Sequence, residues 1–593
     1  MLKKQNGITL VALVVTIVVL LVLAGVSINM VLGDNGIVKK AQEARKNTEQ
    51  AQQAELAGLD QLLGDLDKIV PSTDGYNEDK KVNSPKLSQG MIPIKWNGNN
   101  WVVCSEDDKS WYSYDTTMQW ANVMLSDGKY KAGSVDVDQV VAQSELGSMY
   151  VWIPRYAYKI AGEKNIEVTF LKGSTNEGTD GVTYTEDESV DTKTTALVHP
   201  AFKLAGGELN GIWVSKFEAS GTNESGQAVG NASSTSGTPV APDETTIVKS
   251  LPSKISWRHI NIGDSQTRSL SITTTNKEKY GLEGASSHLI RNSEWGAVAY
   301  LCYSSYGKVP KINGAGSNND DDAWYNMYTG AGPEDATREG VYGLQGKSTV
   351  GGGEFTEAAH GYSTANGMFA STTGNVTGIY DMNGGAWENV AVYLDNSNGN
   401  LSYYAGAYFD SKTNELKPEY AAIWEKYEVS EEEKSAAKTA QIKIEENGTA
   451  EYLTQGQLWD ANKIDLKYQV ARLRLTTATF NNMASHKGIG VNEVSNKFSF
   501  YAPYYTLYID ENNNTKSWYW FQSAENAAKK PAITYGEIAT TWDNDYILIG
   551  NVYNAFLIRG GGCSGGVVSG VLYYNNSDGY EYSYRGFRPV LVV

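Results

Sequence analysis

From Ile8 to Leu32 the chain carries twenty-five successive residues, ITLVALVVTIVVLLVLAGVSINMVL, with no Asp, Glu, Lys or Arg among them. At about 1.5 Å of rise per residue, a helix of this length crosses a hydrocarbon layer of roughly 30 Å. The run therefore predicts a single-pass membrane helix over 8–32 and sets the place of everything that follows. Lys3 and Lys4 precede it and Asp34 follows directly, so the positive-inside bias leaves the N-terminus in the cytoplasm and puts residues beyond Leu32 outside. A cleaved secretory signal peptide is the alternative, against which stands an apolar run longer than the usual h-region of about 7–15 residues. The expected location is the cell membrane, with the C-terminal domain extracellular.

After GDNG at 33–36, Ala41, Ala44, Ala51, Leu59, Leu62, Leu63 and Leu66 recur near helical spacing among Lys, Glu and Gln, and Pro71 follows. This predicts a helical stalk over 33–70, closed by a residue that helices tolerate poorly. The polar stretch STDGYNEDKKVNSPKLSQG reads as a linker over 71–90.

Beyond it the pattern changes to short apolar and aromatic runs bounded by Gly, Asn or Asp, such as IPIKWNGNNWVV, MYVWIPRYAYKI and GIWVSKFEAS. These are strand signals. The chain has 593 residues, too many for one compact core, and its 60 Gly, 14 Pro and 11% aromatics favour loop-rich α+β structure over helical bundles. We expect a small β-rich region over 91–150 and a larger ectodomain over 151–593. The Ser/Gly/Thr-rich stretch near 220–245 reads as a flexible surface insertion, and the charged stretch near 400–450 as a second insertion carrying a solvated helix. A net charge of −18 argues against nucleic acid, whose binders cluster Lys and Arg against phosphates. Cys104, Cys302 and Cys563 are too few and too scattered for a disulfide framework or a CxxC metal site.

The first residues, KKQNG followed by ITLVALVVTIVVLLVLAG, resemble the leader and first helix of type IV pilins and pseudopilins. The resemblance implies a prepilin-type leader over 1–7, cleavage by a prepilin peptidase after Gly7, methylation at Ile8, and other pilins as partners. Family pilins carry a Glu at the fifth mature position, a carboxylate that is costly inside a membrane and is used in assembly. Here that position is Ala12, which weighs against incorporation into a long surface filament.

Further along, HLIRNSEWGAVAYL at 288–301, GNVTGIYDMNGGAWENV at 374–390, LIRGGG at 557–562 and RGFRPVL at 585–591 occur in a fixed order. Together they resemble the formylglycine-generating enzyme family, also known as sulfatase-modifying factors, whose fold is a loop-rich relative of the C-type lectin fold. In its oxidases two Cys bind copper, at places that fall here on Gly565 and Gly570, with Cys563 two residues away from the first. Related iron-dependent sulfoxide synthases use a His-x3-His-x-Glu helix, and His199, His259, His288, His360 and His486 contain no such pair. Neither copper nor iron is expected, and the chain is read as a non-enzyme. The resemblance does imply a structural calcium site in the 381–388 turn, on the side chains of Asp381 and Glu388 and the carbonyls of Gly384 and Ala386. Calcium takes six to eight hard oxygens in flexible geometry. A tight turn with a capping Asp and a solvent-paired Glu is the equally weighted alternative. The acidic SNNDDD at 317–322 reads as a solvated loop.

Residues 573–584, YYNNSDGYEYSY, are almost wholly Tyr, Asn, Ser, Gly and acids, the mixture by which antibody loops combine broad contact with adaptable hydrogen bonding. An exposed Tyr-rich hairpin is the plainer alternative. Domains of this family whose last motif runs from RGG to GFR resemble the variable proteins of diversity-generating retroelements, in which adenine-directed mutagenesis rewrites the codons between those anchors. On that resemblance 557–593 is a candidate variable binding region. Gly562, Cys563, Ser564, Val567, Val568, Tyr574, Asn575, Asn576, Ser577, Tyr580, Tyr582 and Tyr584 would be its ligand-binding positions, and Glu581 a fixed one. Arg559, Phe587 and Arg588 are expected to be structural. The sequence thus reads as a membrane-anchored, adhesin-like or receptor-like protein that binds a protein or glycan at the cell surface. A minor pilin acting in filament assembly is the first alternative, and a formylglycine-family oxidase a more distant one.

Overall fold

The computed structural model describes the chain outside 1–70, 163–164, 188–189, 191, 193, 224–227, 230–244, 310–327, 332–356, 395–400, 563–569 and 583; between 428 and 554 it describes five short strand segments. The residues expected to form a leader, a membrane helix and a stalk, with Gly7, Ile8 and Ala12 among them, lie outside the described residues. Among the described residues no helix is long and apolar enough to cross a membrane. The remainder is a mixed α+β fold, rich in strands and poor in helices.

Two sheets organise it. The larger, among the described residues, contains β1 (Met91–Trp96), β2 (Trp101–Val103), β3 (Asn122–Leu125), β4 (Val140–Val141), β5 (Met149–Pro154), β6 (Gly211–Ser215), β7 (Ser286–Leu289) and the final strand Pro589–Val592. The spatial order is β7, final strand, β6, β5, β3, β1, β2, β4. Strands β3, β5 and β6 are buried at every position, which is why VWI and GIWVS read as continuous apolar runs rather than alternating ones. The smaller sheet is built on β8 (Trp387–Leu394). Parallel to it lie β9 (Glu425–Tyr427), beside residues 392–394, and β12 (Arg585–Phe587), beside 387–389; antiparallel to it runs β10 (Phe556–Arg559), which in turn pairs with β11 (Tyr574–Ser577). With the final strand labelled β13, the chain passes from the small sheet at Phe587 to the large one at Pro589 through a single residue, Arg588.

Helix α1 (Ile262–Leu270) starts at Asn261, whose Oδ1 accepts the Asp264 amide at 2.7 Å. Helix α2 (Asn292–Cys302) is buried along its whole length. Its first turn closes when the Glu294 carboxylate accepts the Arg291 amide at 2.8 Å, satisfying a donor that a helix start leaves without an intrahelical acceptor.

Three organisational expectations change. The 71–90 stretch is folded rather than a linker: Tyr76–Asn77 pairs with Val82–Asn83. Asn83 is fully buried, donating to the carbonyls of Gly173 and Asn210 at 2.8 and 2.9 Å and accepting the Gly173 amide at 2.7 Å. Its polar residues are there to satisfy loop backbone, a use that composition does not distinguish from solvation. The boundary at 150/151 runs through one sheet, since β1 to β4 share it with β5 and β6. In the second insertion, residues 401–427 are built into the fold: Phe409 and Trp424 pack against Phe556 with ring centroids 6.0 and 5.9 Å apart, and EKY is strand β9. Residues 428–442 lie outside the described residues. In the first insertion, Ser220–Thr222 pairs with Ala228–Val229 and Ile247–Lys249.

One cation sits inside the larger core. Lys216 is fully buried, and its Nζ donates to Asn122 Oδ1 at 2.9 Å and to the carbonyls of Val376 and Gly378 at 2.6 and 2.7 Å. The Trp101 and Tyr380 rings lie 5.2 and 5.4 Å away. Burial drives its pKa well below the usual lysine value.

Candidate functional site

The 557–588 region is gripped at both ends. Arg559 and Arg588 are fully buried, and their guanidinium groups lie 5.8 and 6.0 Å from the ring of Trp295 on α2. Trp295 Nε1 donates to the Val571 carbonyl at 2.6 Å. Arg588 binds Glu388 with two nitrogens, at 3.0 and 2.7 Å, and donates to the carbonyls of Ser215 and Tyr380 at 2.8 and 2.9 Å. Phe587 is fully buried against Trp257. These three residues are structural, as their motif positions suggest.

Around Glu388 lies a buried carboxylate cluster. Asp381, held at φ +63°, accepts the Gly330 amide on both oxygens at 2.9 and 3.0 Å and the Glu218 amide at 3.4 Å. Glu218 Oε1 accepts the Ala386 amide at 2.6 Å. Burial raises the Glu218 pKa well above the usual carboxylate range, and the charges of Asp381 and Glu388 raise it further. Burial also pushes Glu388 up, to about 7, against the opposing pull of Arg588. The two-nitrogen fork is the geometry of a charged pair, so the cluster's proton is best placed on Glu218.

This geometry bears on the calcium expectation. The fold brings Asp381, Gly384, Ala386 and Glu388 together, but both carboxylates already serve protein donors, Glu388 through Arg588 and Asp381 through two amides. No group of three or more His, Cys, Asp or Glu among the described residues is arranged to hold a metal ion. An ion in the 381–388 turn would have to compete with these donors for both carboxylates.

The tyrosine-rich stretch is presented by a pinned turn. Arg585 Nη1 donates to Asp578 Oδ1 at 2.7 Å and to the Tyr580 carbonyl at 2.8 Å, and the Gly579 carbonyl accepts the Ile262 amide at 3.1 Å. Gly579 has φ +86°, and a Cβ there would stand 2.8 Å from the Phe556 ring, so only glycine fits. Held in this way, Tyr580, Tyr582 and Tyr584 direct their rings into one row, with centroids 5.0 and 5.1 Å apart and the last two rings within 4° of parallel. The row continues at both ends. Tyr584 meets Trp387 at 4.7 Å, and Trp387 stacks on Tyr573 at 6.2 Å. Tyr580 meets Tyr404 at 5.4 Å, and Tyr404 meets Tyr403 at 4.5 Å. The result is a ribbon of seven aromatic rings whose most exposed members are Tyr403, at 74% relative accessibility, and Tyr580, at 37%.

The positions expected to bind ligand are thereby sorted. Tyr580 is exposed, and Tyr582 and Tyr584 are half-buried members of the ribbon. Asn575 is half-buried, with Nδ2 donating to the Tyr573 hydroxyl at 3.1 Å. Ser577 is buried, with Oγ accepting the Gly579 amide at 3.0 Å, so its place is in the turn rather than on the face. Gly562 is buried as well. Tyr574 and Asn576 belong to β11. Cys563, Ser564, Val567 and Val568 lie outside the described residues, as do Gly565 and the 317–322 loop. Gly570 is buried, and its carbonyl accepts the Tyr573 amide at 2.9 Å. Glu581, the expected fixed position, lies with Oε1 4.0 Å from His259 Nε2. Sequence reasoning did not find Trp387, Tyr403, Tyr404 or Glu218. The adjacent tyrosines of NLSYYAGAY were the one available signal, and nothing in them indicates that they meet Tyr580.

No family model matches the chain, and no curated protein matches it.

Proposed function

We propose that the chain is a membrane-anchored, cell-surface ligand-binding protein whose ectodomain has a fold of the formylglycine-generating enzyme and C-type lectin type, and whose 557–593 region forms the contact face. The observation that carries this reading is the aromatic ribbon: exposed Tyr580 and its half-buried neighbours Tyr582 and Tyr584, fixed on a turn pinned by the buried Arg585. Rigid aromatic side chains give broad contact at low entropic cost, and a face already ordered in the folded state avoids an ordering cost on binding.

The fold assignment is supported by the way the four sequence motifs converge. Glu388 pairs in register with Arg559 and Gly586, Trp387 with Arg585, and Trp295 underlies both anchoring arginines. The membrane anchor is supported by the uncharged 8–32 run and the lysines before it. Diversification by a retroelement is supported by the contrast, within one continuous segment, between the buried anchors and the exposed Tyr580 with its half-buried neighbours Tyr582 and Tyr584.

Two measurements test the reading. Protease added to intact cells with a permeable outer layer is expected to remove the ectodomain, and full protection would overturn the topology. Arrays of surface proteins and glycans, probed with the full chain and with a Tyr580→Ser/Tyr582→Ser variant, are expected to give signals that the variant loses. Signals retained by the variant would place binding elsewhere.

A further inference from the structure

We infer that the ribbon takes the cationic side chains of a basic protein segment, with lysine or arginine lying over the exposed rings at its Tyr403–Tyr404–Tyr580 end. The inference rests on the ligand-binding reading above and adds the chemistry of the partner.

The first ground is the charge that accompanies the rings. The turn carrying the tyrosines supplies two carboxylates, Asp578 and Glu581, whose side chains are 29% and 42% exposed. Its cation, Arg585, is already held by Asp578 at 2.7 Å and is itself nearly buried, at 6%. With Asp578 and Arg585 paired, the charge left over on the turn is the carboxylate of Glu581. The whole chain carries −18, a field that draws cationic partners toward it.

The second ground is an internal example. The Arg585 guanidinium lies 4.4 Å from the Tyr582 ring centroid, so one ring of this row already accepts a guanidinium on its face. A ring face carries the negative part of the aromatic quadrupole, and carboxylates beside it strengthen the attraction for a cation. At the Tyr403 end the same chemistry is open to solvent, since Tyr403 is the most exposed ring of the row. A neutral sugar would also stack on these rings and could donate its hydroxyls to the acids, but it brings no charge for them to pair with. Tyr403 and Tyr404 belong to the helix Leu401–Ala405, outside the 557–593 segment, so diversification confined to that segment would leave this end of the face constant.

The full chain in detergent, titrated with three fluorescent probes, tests the inference: an alternating Arg-Gly peptide, its Asp-Gly counterpart and a neutral chito-oligosaccharide. The Arg-Gly peptide is expected to bind best and to weaken as salt rises. Tyr403→Ser with Tyr580→Ser should weaken it by about tenfold or more, and Glu581→Gln by a few-fold, with melting temperatures showing all variants folded. Tighter, tyrosine-dependent binding of the chito-oligosaccharide would overturn the cationic partner and leave the ligand face standing. Arg-Gly binding that responds to salt but not to the tyrosine pair would reduce the effect to bulk charge and overturn the inference. If none of the three probes responds to the tyrosine pair, the inference and the ligand face fall together.

Discussion

Arg588 holds Glu388 with Nε and Nη2 at 3.0 and 2.7 Å, joining residues 200 positions apart at the point where the chain leaves one sheet for the other. Both side chains are fully buried. A buried pair of this kind is tied less to net stability than to the cost of breaking it, because the remaining charge loses its partner in a medium that cannot solvate it. Either Arg588→Met or Glu388→Leu alone is expected to cost about 3–5 kcal/mol, read as a lowered denaturant midpoint. The double variant should recover much of that loss. Single and double variants of equal stability would show that the pair is not the clasp between the sheets.

Glu218 gives the fold a pH dependence of defined sign. Below about pH 4.5 the folded and unfolded states both hold its proton. As pH rises past that value the unfolded chain releases the proton, while burial and the nearby Asp381 and Glu388 keep it on the folded one. The stability contribution is thus fully present in acid and is lost as pH climbs toward the raised folded value. Glu218→Gln keeps an oxygen for the Ala386 amide and has nothing to titrate. Its unfolding midpoint should fall less between about pH 5 and pH 8 than that of the parent; identical slopes would assign the effect to another group.

Calcium should leave the melting temperature where EDTA leaves it. A ligand that binds the folded state stabilises it by mass action, but an ion at 381–388 would have to compete with Arg588 for Glu388 and with two amides for Asp381. A calcium-dependent rise that Asp381→Asn erases would put the ion in this turn after all.

How far the sequence discloses this molecule depends on the range of each interaction. Continuous apolar runs such as MYVWIP announce buried strands because every position is enclosed. The motifs around Trp295, Glu388, Arg559 and Phe587 are legible because each is a compact local string. Their mutual contacts are not, since no periodicity in one string reports its register against another 200 residues away. Lys216 and Glu218 lie in SKFEAS beside a strand, where charged residues ordinarily mark a solvated face; only the burial of their acceptors and donors shows that both point inward. The same limit hid Tyr403 and Tyr404. In the sequence they are part of an insertion, and their role comes from a 5.4 Å approach to Tyr580.

The anchors and the face should separate under mutation. Phe587 is fully enclosed and meets Trp257 edge-on at 5.8 Å, so Phe587→Ala is expected to cost about 3–5 kcal/mol. Tyr403 has a mostly exposed ring, and surface changes usually stay within about 0.5 kcal/mol. Tyr580 also touches Tyr404 and Tyr582, and an aromatic pair is worth about 0.5–1.5 kcal/mol beyond its area. Tyr403→Ser with Tyr580→Ser removes three such pairs, Tyr403–Tyr404 included, and at the low end expected for partly exposed rings should cost about 1.5–2 kcal/mol. Chemical denaturation of the three proteins measures the contrast directly. If the tyrosine pair proved as damaging as Phe587→Ala, the ribbon would be part of the core, and a surface that cannot vary without unfolding the protein could not serve as an adaptable contact face.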